Sequence, residues 1–189
     1  MNGILKVALA LMLPISASAQ TTDTAVFRGG HAVVDTAGNL IVFDEGRNTT
    51  GVTITGLRHS FFAPVTRVTV QRPGSTGNIQ TVSYNADLQF IGVGSSAVYA
   101  IATVFTVSGT TLTTTTSLIA IKAGQALPAA LSGFPTLALT SPVDARVGPS
   151  DYIALITEPD RTSTTTARTA QVVHFNGTSF DSTSSGTLP

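Results

Sequence analysis

Ala32-Val33-Val34-Asp35-Thr36-Ala37-Gly38-Asn39-Leu40-Ile41-Val42-Phe43-Asp44 is two apolar runs around a short polar break. β-branched and aromatic side chains fit a pleated surface, and Gly and Asn tolerate positive φ, so the stretch predicts strand, turn, strand. The same punctuation recurs along the chain. Short apolar runs at 52–55, 67–71, 79–84, 97–107, 118–121, 152–156 and 171–175 are separated by Gly, Asn, Asp and Pro. No window carries sustained 3.6-residue periodicity. The nearest, 123–131, is interrupted by Pro128 and followed by Gly133. The expected fold class is all-β.

A weak repeat lies within these runs. Asn39-Leu40-Ile41-Val42-Phe43-Asp44-Glu45-Gly46, Ser117-Leu118-Ile119-Ala120-Ile121-Lys122-Ala123-Gly124 and Gln171-Val172-Val173-His174-Phe175-Asn176-Gly177 each place a four-residue apolar core before polar residues and Gly. Asn78-Ile79-Gln80-Thr81-Val82-Ser83-Tyr84-Asn85 fits more loosely. The cores begin at 40, 79, 118 and 172, at intervals of 39, 39 and 54. Ser96 to Thr103 also matches Ser150 to Thr157 at the interval of 54. A period of about 40 residues with four short strands is the pattern of a β-propeller blade. The 32–44 stretch resembles the strand–turn–strand heart of NHL-type blades. Val98-Tyr99-Ala100-Ile101 and the 117–124 run resemble half-blades of quinoprotein-type repeats. The resemblance spans about 27–180 and implies a propeller-like repeat of four-stranded antiparallel units, approximately 26–64, 65–93, 94–140 and 141–189. The chain has no Trp, so it lacks the Trp-docking and Trp-Asp signatures of two such families. Four units imply a small ring, or an incomplete one completed by a partner copy. A β-sandwich or jelly roll accommodates the same strand spacing and stays open as the alternative.

Composition narrows the function classes. The 189 residues are 42% hydrophobic and 11% charged, with net charge +0, no Cys and no Trp, whereas a typical domain is about 25% charged. Neutrality gives no electrostatic case for nucleic acid. The absence of Cys removes disulfides, thiolate metal sites and Cys nucleophiles together. Met1 to Ala19 reads as a secretory signal: Lys6 is the positive region, 7–15 the apolar stretch, and Ala17-Ser18-Ala19 the cleavage site. The apolar stretch is far shorter than the ~20 residues that span a bilayer. The expected location is therefore extracellular or periplasmic, with 20–189 forming one all-β domain. The chain is not expected to be an integral membrane protein: it has no aromatic girdles and ends in Leu188-Pro189.

Candidate chemistry is sparse. His31, His59 and His174 show no local ligand pair, although His31 and His174 sit in comparable strands and could approach each other. Gly92-Val93-Gly94-Ser95-Ser96 fails both the nucleophile-elbow and the dinucleotide fingerprint at Ala97, and reads as a turn. The carboxylates Asp35, Asp44, Glu45, Asp87, Asp144, Asp151, Glu158 and Asp160 fall mostly in turns. Asp44-Glu45 and Glu158-Pro159-Asp160 supply oxygen donors for calcium but lack loop-motif spacing. Thr110 to Thr116 and Thr162 to Thr169 read as solvated hairpin arms. Asn48-Thr49-Thr50 and Asn176-Gly177-Thr178 match glycosylation sequons. No catalytic residue, metal ligand or cofactor is assigned. The expectation is a secreted scaffold that binds an unknown protein or surface ligand through the loops at 55–64, 140–150 and 158–169. A loop-built hydrolase is one alternative. A surface or adhesive protein that self-associates through strand edges is the other.

Overall fold

The computed structural model describes residues 25–49, 51–53, 60–74, 79–108, 111–140, 143–157 and 168–188. The leader at 1–19, His59, Glu158 and Asp160 lie outside them, as do 55–59 of the loop at 55–64 and most of the loop at 158–169.

The strands are β1 (Ala25–Val34), β2 (Leu40–Asn48), β3 (Val52–Thr53), β4 (Ser60–Phe61), β5 (Pro64–Gln71), β6 (Ile79–Tyr84), β7 (Asp87–Val93), β8 (Ala97–Ser108), β9 (Thr111–Lys122), β10 (Thr136–Leu139), β11 (Val143–Val147), β12 (Tyr152–Thr157), β13 (Arg168–Phe175) and β14 (Phe180–Leu188). Two three-residue 3-10 turns are the only helical geometry among the described residues. The chain is all-β, as its β-branched runs predict.

The strands form three four-stranded antiparallel sheets in the orders β1-β2-β5-β6, β7-β8-β9-β10 and β11-β12-β13-β14, plus the small β3-β4 hairpin. Each sheet is a meander whose strands neighbour one another in chain order. Where four units were expected, three sheets are observed, spanning 25–84, 87–139 and 143–188. The 39-residue interval joins strands in unlike places: β2 is second in its sheet, β6 fourth and β9 third. The 54-residue interval joins like with like, β8 to β12 and β9 to β13.

The second sheet is the middle layer. One core joins Ile41, Phe43, Val68 and Val70 of the first sheet to Val98, Ala100, Ala102, Ile119 and Ile121 of the second. The other joins Ala97, Tyr99, Ile101, Leu118 and Ala120 to Ile153, Leu155, Val173 and Phe175 of the third. Successive side chains of a strand point to opposite faces. Ala97 to Ala102 is buried at all six positions because both faces of β8 are covered. β12 is covered on one face and alternates exposed and buried.

The sheets also face the same way. Backbone hydrogen bonds close the first turn of each sheet: Asp35 N to Asn39 O, Gly94 N to Ala97 O, and Gly148 N to Tyr152 O. Hydrogen-bonded and non-hydrogen-bonded pairs alternate along an antiparallel ladder, so residues in phase with the closing pair mark one chemical face. In the first sheet that face carries Val33, Ile41 and Phe43 and packs on the second sheet. In the second sheet it carries Tyr99 and Ala97 and packs on the third. In the third it carries Ala154 and Arg146 and points outward. The first and second sheets thus each lay the same kind of face on the opposite kind of face of the next.

Candidate functional site

The three first turns gather at one end. Thr36 Oγ1 donates to Ser95 O at 2.9 Å. Asp35 is buried in its turn, accepts from the N–H groups of Ala37 and Asn39 and from Asn39 Nδ2, and also takes the Gly124 N–H of the β9–β10 connection at 3.3 Å. Asp151 is buried at the head of β12 and crosses to the second sheet, accepting from Ser96 N at 3.2 Å, Ser96 Oγ at 2.9 Å and Tyr99 Oη at 2.8 Å. Burial, and after it the bond to Asp151, hold the Tyr99 hydroxyl well above the ordinary phenol value of 10.0, so it remains a donor at neutral pH. These carboxylates, expected to cap turns, do so and also tie one sheet to the next.

The same end carries a cleft of about 320 Å³ between the β9–β10 connection and the β13–β14 turn. Its lining includes Lys122, Gln125, Pro128, Phe134, Pro135 and Thr178. The connection is held from behind by the first sheet. Gln80 Nε2 donates to Leu127 O at 2.8 Å, Leu127 N–H donates to Gln80 Oε1 at 2.7 Å, and Tyr84 Oη donates to Pro128 O at 2.6 Å. Leu127 and Phe134 anchor it in the core shared by the first two sheets. Across the cleft, Asn176 Oδ1 accepts from the N–H groups of Thr178 and Ser179, and its Nδ2 donates to Asp181. The Asn176 sequon amide is therefore bound into its own turn. Lys122 is half-buried and forms no ion pair with a described residue.

The other sequence candidates are dispersed. His31 faces the second sheet with its ring 6.0 Å from that of Phe90, and His174 stacks on Tyr152 at 4.7 Å on the far side of the third sheet. The middle sheet separates them, so they do not meet. Asp44 pairs with Arg67 at 3.2 Å, and Asp144 with Arg146 at 2.7 Å. Asp87 feels Glu45: desolvation first, then the charge of Glu45, push its carboxyl above the ordinary aspartate value of 3.8. In the Gly92 to Ser96 segment the expected turn lies at 94–97, closed by Gly94 N to Ala97 O, while Gly92 and Val93 end β7. A Cβ on Gly94 would overlap the Asp151 carboxylate and the Tyr99 ring, so that glycine serves close packing. Among the described residues no group of three or more His, Asp or Glu is placed to hold a metal ion. No helix among them is long and apolar enough to cross a membrane. The cleft escaped sequence reading because its walls come from two sheets, the second with its β9–β10 connection and the third; the only local cue was the broken periodicity at 123–131.

No family model, curated protein or solved structure matches this chain.

Proposed function

We propose that the chain is an exported, propeller-like binding module that takes a small organic anion in the cleft at its turn-bearing end. Three consecutive four-stranded meanders, stacked in one sense, support the blade-like reading. The leader pattern at Met1 to Ala19 supports export. The cleft lining carries the functional reading. A half-buried lysine and one amide face an apolar wall of Phe134, Pro128 and Pro135, with no carboxylate, imidazole or nucleophile–base pair beside them. A few placed polar groups in an apolar pocket orient a ligand. Lys122 suits a carboxylate, and the ring and prolines suit a planar apolar body.

Titration with benzoate, followed by residue-resolved NMR, tests the assignment. Benzoate should shift Lys122, Gln125 and Phe134, benzyl alcohol should do so at least tenfold more weakly, and Lys122→Met should abolish the difference. Equal responses to the two probes, or none at these residues, would refute it. Mass spectrometry of the exported chain should find Gln20 as its first residue.

A further inference from the structure

Two sheet faces have no sheet against them among the described residues: the outer face of the first and the outer face of the third. They are the two kinds of face that pack on each other inside the chain. The outer face of the third sheet is in phase with its closing pair, like the faces that the first and second sheets lay on their successors. The outer face of the first is out of phase, like the faces that receive them.

Their surfaces suit burial. Register places Val34, Leu40, Gln71 and Ile79 in one row across the first sheet. Val34 is 58% exposed, Leu40 37% and Ile79 59%. The next row is Ala32, Val42, Thr69 and Thr81. On the third sheet Tyr152, 43% exposed, lies over His174 beside Ala154, Val172 and Ile156. Each face carries an ion pair, Asp44 with Arg67 on the first and Asp144 with Arg146 on the third, and the third also carries one further charge of each sign, Arg168 and Asp181, so neither face presents a single sign of charge to the other.

We propose that the outer face of the first sheet docks on the outer face of the third sheet of a second copy, continuing the internal stack from chain to chain. Because the two faces differ, the contact is heterologous and joins copies head-to-tail. Association uses sheet faces rather than the strand edges of the surface or adhesive alternative. The inference does not depend on what the cleft holds.

Sedimentation of the wild-type chain and two variants tests it. Leu40→Lys blocks only the first-sheet face, and Ala154→Lys only the third-sheet face. Wild type should sediment as an oligomer and each variant as a monomer. An equimolar mixture of the variants should give a dimer and nothing larger, since one matched pair of faces survives. A monomeric wild type, a variant that still self-associates, or a mixture that stays monomeric would each overturn the proposal. Circular dichroism confirms folding. If either variant loses its strand spectrum, Val34→Lys and Tyr152→Lys carry the same test.

Discussion

Asp151 holds its backbone at φ 61°, beside Ser150 at φ 54°, in a region that non-glycine residues rarely occupy. Its three inter-sheet hydrogen bonds offset that cost. Asp151→Ala leaves the buried Tyr99 hydroxyl without its partner and should destabilise the fold by about 1–3 kcal/mol. Chemical denaturation checks this, and in a Tyr99→Phe background the same substitution should cost clearly less, because the two residues share a bond. Asp87 gives a pH signature. Its folded-state pKa is raised, so its favourable contribution is present below the ordinary value of 3.8 and is lost as pH rises through the raised value. At pH 7 the ionised group is a net cost. Asp87→Asn should therefore raise Tm at pH 7 and leave it unchanged near pH 3, as thermal melts at the two pH values will show. Glu45→Gln should reproduce part of the gain, since its charge is the second cause of the shift.

Elements differ in how legible they were. Strand–turn–strand units such as 32–44 could be read directly, because alternation and turn residues are local signals. Sheet membership could not. Residues 49–63, including the β3-β4 hairpin, separate β2 from β5 and hide the first sheet's match to the other two. Of the two intervals in the sequence, the less regular one, 54, proved structural. The Thr-rich 111–116 segment could also be read: it is the exposed half of β9, opposite residues 103–108 of β8. The β9–β10 connection had no strand signal, yet two side chains of β6 fix it through backbone bonds. Gln80→Ala breaks two of these and should cost about 1–3 kcal/mol. Amide exchange at Leu127 and its neighbours should accelerate while that of 97–102 stays unchanged. Uniform acceleration would mean that Gln80 supports the whole fold rather than this loop.

At the scale of the molecule, the organising feature is a central sheet buried on both faces, with three meanders turned the same way. Without disulfides, these two cores and the bonds between turns hold the stack together. The all-β class was legible because periodicity is intrinsic to each strand. The candidate cleft was not, because its walls meet only after the sheets stack. The polar stacking that leaves two complementary outer faces was hidden too, since it depends on which turn bond is in phase with which face. The most direct measurement is the pattern of methyl and aromatic NOEs from neighbouring residues of β8. Outside its own sheet, Ala100 should contact first-sheet residues such as Phe43 and Val68, and Tyr99 third-sheet residues such as Phe175 and Phe180. If Ala100 and Tyr99 instead report the same neighbouring sheet, or if either faces solvent, the three-layer stack is wrong.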